Sequence, residues 1–116
     1  MTIRYKNQGF KQADTNLNTV LTCPTDATLI VKSIYCANND ASSAIQVNAS
    51  LVDTSASSTE YEFFRDDLAA KSQVNASPQG INLEAGDLIK IQAATGSNKI
   101  QGVISYALID RSQENG

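Results

Sequence analysis

The side chains that could carry chemistry in this 116-residue chain are few, and the most telling is one it lacks: there is no histidine. Histidine changes charge most readily near neutral pH, so Ser-His, Cys-His and His-metal arrangements are excluded. Cys23, next to Pro24, has no His or cationic cluster close in sequence to lower its pKa, so a reactive thiolate is not expected. Asp66-Asp67 offers oxygen ligands of the kind calcium takes. Neighbours in an extended strand point to opposite faces, however, and a solvated loop is the better reading. Glu60 and Glu62 share a strand face and repel one another. They mark a wet face, or one that meets basic partners, rather than a glycosidase pair. The glycines are isolated at turns, so no phosphate loop is present, and no Trp is available to stack a sugar. Asn48-Ala49-Ser50 and Asn75-Ala76-Ser77 match the glycosylation sequon, but Met1–Lys6 shows no apolar segment of a secretory signal. The reading is of a protein that is not an enzyme and that needs no cofactor or metal.

The elements that position these residues read as strands. In Leu83-Glu84-Ala85-Gly86-Asp87, a Gly-Asp pair marks a sharp corner, where glycine tolerates positive φ. Ile89, Ile91 and Ala93 then alternate with Lys90 and Gln92, the period of a half-buried strand. Ser43–Asp53 alternates in the same way, with Ile45, Val47, Ala49 and Leu51 on one face. Ala27–Ala37 is rich in β-branched and aromatic residues, and its Leu29-Ile30-Val31 run suits a central strand. Leu17–Cys23 is a further strand, ended by Pro24-Thr25-Asp26. Thr59–Arg65 places Tyr61 and Phe63 inward, and residues 65–71 are open between a helical turn and more strand. Ile81–Leu83, Asp87–Ala94 and Lys99–Asp110 complete the set. Thr95-Gly96-Ser97-Asn98 predicts a hairpin between the last two. About eight short strands without a long helix predict an all-β fold, a single antiparallel β-sandwich of jelly-roll type. The domain is expected over 17–110, with an extended N-terminal arm at 1–16 that holds one short strand at Ile3–Phe10, and a polar tail at 111–116.

Charge is unevenly spread. Before Asp14 the chain carries Arg4, Lys6 and Lys11 and no acid; the remainder holds six basic residues against all twelve acids, a balance of −6. An acidic body repels the nucleic-acid backbone, so no nucleic-acid partner is expected. No run approaches the length of a membrane helix, so no membrane partner is expected either. The basic arm suits an acidic neighbour, and another copy of the same body is one; a frayed, solvated terminus is the alternative. Cys23 and Cys36 are expected as free thiols, as in a reducing compartment.

Thr19-Val20-Leu21-Thr22-Cys23-Pro24, followed by Ala27-Thr28-Leu29-Ile30-Val31-Lys32-Ser33-Ile34-Tyr35-Cys36-Ala37-Asn38-Asn39, resembles the opening of small virion structural proteins of tailed bacteriophages, including those of marine bacteria and cyanobacteria. The Leu83–Ile91 corner and the closing Val103-Ile104-Ser105-Tyr106-Ala107-Leu108-Ile109 strand are similar to that group too. The resemblance spans about residues 17–110; Leu108 stands where the group has an acid, and residues 1–16 lie outside it. It implies a non-enzymatic virion component made in the host bacterial cytoplasm, foremost a capsid decoration or cement protein bound to the major capsid protein or other virion proteins. A homo-oligomer, with a trimer favoured, is implied as well. The candidate interface residues are Arg4, Lys6 and Lys11 as contacts to acidic surface and Tyr5 and Phe10 as apolar anchors. Neck, tail or fibre-attachment roles are the alternatives, as is a host-surface or glycan-binding module using Asn38, Asn39, Asp40 and Tyr35.

Overall fold

A computed structural model describes residues 2–112. Nine strands follow one another: β1 (Thr2–Lys11), β2 (Asn18–Thr22), β3 (Ala27–Asn38), β4 (Ile45–Asp53), β5 (Thr59–Leu68), β6 (Gln73–Asn75), β7 (Ile81–Leu83), β8 (Leu88–Ala93) and β9 (Ile100–Asp110). They form two antiparallel sheets. One runs β1-β9-β3-β6, with β7 on the same edge of β3 as β6; the other runs β2-β8-β4-β5. Every connection except β4–β5 and β6–β7 passes from one sheet to the other, which is the winding of a jelly roll. The all-β sandwich expected from the sequence is the fold.

The core is the set of inward residues that the alternation marks. Ile45, Val47, Ala49, Ile89, Ile91 and Ala93 from one sheet meet Leu29, Val31, Ile34, Cys36, Ile100 and Ile104 from the other, all nearly or wholly inaccessible to solvent. Packing of this density resists small changes of volume. Cys23 and Cys36 are both buried free thiols.

Several expectations are corrected. The turn at 95–98 does not close a hairpin, because β8 and β9 lie in different sheets. It crosses the sandwich instead, held by the Ser97 amide donating to the Ala13 carbonyl (3.1 Å) and the Asn98 amide to that of Gln12 (3.0 Å). Residues 65–71 continue β5 to Leu68 and then turn. Tyr61 is half exposed rather than packed inside, since β5 is a sheet edge and a bulge opposite Ala49 and Ser50 shifts its alternation at Phe63. The strand expected within the arm is longer than foreseen: all ten residues of β1 pair with β9.

The Gly-Asp corner has the foreseen geometry. Gly86 takes φ +85°, and its amide donates to the Cys23 carbonyl (3.0 Å). Asp87, almost fully buried, turns its carboxylate back into the structure. Oδ1 accepts from the Thr54 amide (3.1 Å) and hydroxyl (3.3 Å), and Oδ2 accepts from the Glu84 amide (3.0 Å). One side chain thus fastens the β4–β5 loop to the β7–β8 corner.

Candidate functional site

Among the described residues no group of three or more His, Cys, Asp or Glu side chains could hold a metal ion, and no helix is long and apolar enough to cross a membrane. Asp66 and Asp67 are both exposed. Neither thiol is poised for chemistry: burial pushes Cys36 up to about 12 and raises Cys23 as well. What the fold does build is a surface, and β1 is its organising strand.

Residues directly opposite one another in neighbouring strands share a face. The register places Tyr5 beside Ala107 and Ala107 beside Ile30; a second row runs Gly9, Val103, Tyr35, and a third runs Ile3, Ile109, Thr28. These rows lie on the outer face of the β1-β9-β3 sheet. Five of the large apolar side chains that the sandwich leaves exposed gather there: Ile3, Tyr5 (77% exposed), Ile30, Tyr35 and Val103. Asn82, beside Ile30, and Asn75, beside Tyr35, border the patch with polar groups. Lys32 sits at a bulge in β3 between Val31 and Ser33, which aims its ammonium over the Tyr5 ring, 5.0 Å from the centroid. An apolar centre with a polar border is the anatomy of a protein-contact surface.

The five predicted interface residues divide between two fates. Arg4, Tyr5, Lys6 and Lys11 are exposed on β1. Arg4 approaches Asp110 (Nη2 to Oδ2, 3.5 Å), whose carboxyl is held below its usual range chiefly by the Ser112 amide and hydroxyl. Phe10 is 9% exposed and belongs to the core of its own chain, so it does not serve as an anchor on a neighbour. It lies directly across from Gly102, and a Cβ on that glycine would stand 2.5 Å from Phe10 Cζ. The missing side chain of Gly102 is the room the ring fills. Phe10 escapes sequence reasoning because its burial depends on a glycine ninety residues away.

β1 is otherwise bare. Thr2 to Gly9 are exposed on both faces, since the five-residue β2 is too short to cover them. The loop proposed for glycan contact is occupied by its own hydrogen bonds. The Asn38 side-chain Nδ2 donates to the carbonyls of Ser43 (3.0 Å) and Leu68 (2.9 Å), and Asp40 Oδ1 accepts from the backbone amides of Ser42 and Ser43 (2.9 Å each).

No protein-family model and no curated protein sequence matches the chain. Solved structures do match, and what they share with this chain is the fold. A chain from the acid-stable capsid of Helicobacter pylori bacteriophage KHP30 superposes with TM-score 0.60 at 16% identity, over 97% of this chain and 90% of that one. The Drosophila NLP core gives TM-score 0.50 at 10% identity, over 92% and 98%. A chain from the disulfide-linked pili of Bacillus endospore appendages gives 0.50 at 10%, over 95% and 88%. At these identities the likeness is one of fold.

Proposed function

We propose that this chain is a non-enzymatic structural protein of a bacteriophage virion, and within that class a capsid decoration protein of the tailed-phage type. The observation that carries the reading is the match with a chain of a phage capsid, over 97% of this chain and 90% of that one. The outer face centred on Tyr5, Ile30, Tyr35 and Val103 is the seat against the shell protein. Lys32 and the bordering Asn75 and Asn82 supply polar contacts around it. Each copy needs only a modest contact, because symmetry repeats it over the particle.

Quantitative mass spectrometry and cryo-electron microscopy of purified particles test this. Decoration predicts copies on the order of hundreds per particle, set by shell symmetry, with density outside the shell. Copies on the order of ten at a neck or tail would move the protein there, and its absence from particles would overturn the virion reading. Tyr5→Ser with Tyr35→Ser should reduce occupancy without unfolding the sandwich. Deleting residues 1–12 is a poor test of grip, because it strips β9 of one of its two partners and removes Phe10 from the core.

A further inference from the structure

The two longest edge strands of this sandwich carry opposite charge and lie on opposite sides of the molecule. Among the described residues β1 pairs with β9 alone and β5 with β4 alone, so each presents an unpaired ten-residue edge. β1 holds Arg4, Lys6 and Lys11 and no acid; β5 holds Glu60, Glu62, Asp66 and Asp67 against Arg65. β1 packs beside β2, the first strand of the facing sheet, whereas β5 closes that sheet at its far end. Each molecule therefore has a basic edge on one flank and an acidic edge on the other.

We infer that β1 of one copy docks edge to edge on β5 of the next, joining copies head to tail. Charge on an edge strand ordinarily keeps edges apart. Here that charge keeps β1 from β1 and β5 from β5, but between β1 and β5 the signs are opposite, three charges each way. Antiparallel pairing that sets Arg4 against Glu62 and Lys6 against Glu60 also sets Tyr5 against Tyr61, the exposed tyrosine of β5. Within one copy Glu62 already accepts from Arg65 (Nη2 to Oε1, 2.8 Å), so its carboxylate is held in place for a second cation. Two different patches that meet head to tail generate a ring if the rotation closes and a filament if it does not. The inference concerns the chain in solution and stands apart from the virion reading.

Charge exchange tests it, with sedimentation of the full chain as the readout. The native chain should assemble at low salt and loosen as salt rises toward about 0.5 M, where exposed charges are screened within a few ångströms. Arg4→Glu with Lys6→Glu, or Glu60→Lys with Glu62→Lys, should each weaken assembly at least about tenfold by setting like charges across the joint. The chain carrying all four substitutions should assemble again. Mixing the two monomeric double variants should restore assembly, with the two alternating in equal numbers, because both edges of one then complement the edges of the other. A folding defect would not be repaired by mixing. A native chain that remains monomeric at about 1 mM overturns the inference, as does assembly that ignores both reversals, or reversals that the fourfold variant fails to rescue.

Discussion

Replacing Asp87 by alanine removes the acceptor that joins the β4–β5 loop to the β7–β8 corner. The side chain is 4% exposed and accepts three hydrogen bonds, two from backbone amides at 3.0 and 3.1 Å and a longer one from the Thr54 hydroxyl at 3.3 Å. A hydrogen bond to a charged group contributes about 1.5–3 kcal/mol. Thr54 and Glu84 are themselves exposed, so water can reach the abandoned donors and the full sum is not lost. The expected cost is about 2–4 kcal/mol. With an unfolding entropy of about 2.1 cal/mol/K per residue, this corresponds to a fall in Tm of roughly 8–16 °C. Asp87→Asn keeps one carbonyl oxygen but turns an amide N–H toward one of the donors, and should fall between the two. Calorimetry gives the global figure, and amide exchange at Thr54 and Glu84 reports the local one. An alanine variant that melts within about 2 °C of the native chain, with both amides still protected, would refute the account of the corner.

Three further outcomes follow from packing and charge. Gly102→Ala should destabilise the sandwich by about 3 kcal/mol in urea unfolding, because its Cβ would overlap the Tyr35 carbonyl oxygen as well as crowd Phe10. Cys36, buried and pushed up to about 12, should resist alkylation at pH 8 in the folded chain, and both thiols should label once denaturant is added. Asp40 is held below its ordinary value first by the Ser42 amide and then by that of Ser43, so its carboxylate supports the 40–43 turn at neutral pH. That support is complete above the unfolded value of about 3.9 and is lost as pH falls through the lowered folded one. Amide exchange at Ser42 and Ser43 should therefore quicken as pH falls below about 4, relative to neighbouring amides, and Asp40→Asn should abolish the pH dependence.

Local pattern made much of this molecule legible from its residues. The alternation at Ile45, Val47 and Ala49, and at Ile89, Ile91 and Ala93, settles which faces are buried, because strand side chains alternate whatever the strand pairs with. Gly86 and Asp87 announce their corner for an equally local reason: positive φ excludes most side chains. The absence of His narrows the chemistry without reference to any fold. What tertiary structure alone decided is who stands beside whom. A Gly-containing loop between two alternating runs looks the same whether it closes a hairpin or crosses to the other sheet, as it does at 95–98. Phe10 and Tyr61 read alike as aromatic residues in extended segments. Yet Phe10 is enclosed because Gly102 leaves it room, and Tyr61 is open because, among the described residues, no strand pairs with the outer edge of β5. The apolar rows across β1, β9 and β3, and the opposite charge of the two free edges, join residues that can lie more than a hundred positions apart. Only the closed sandwich brings them onto shared surfaces, because burial and proximity belong to neighbours in space rather than in sequence.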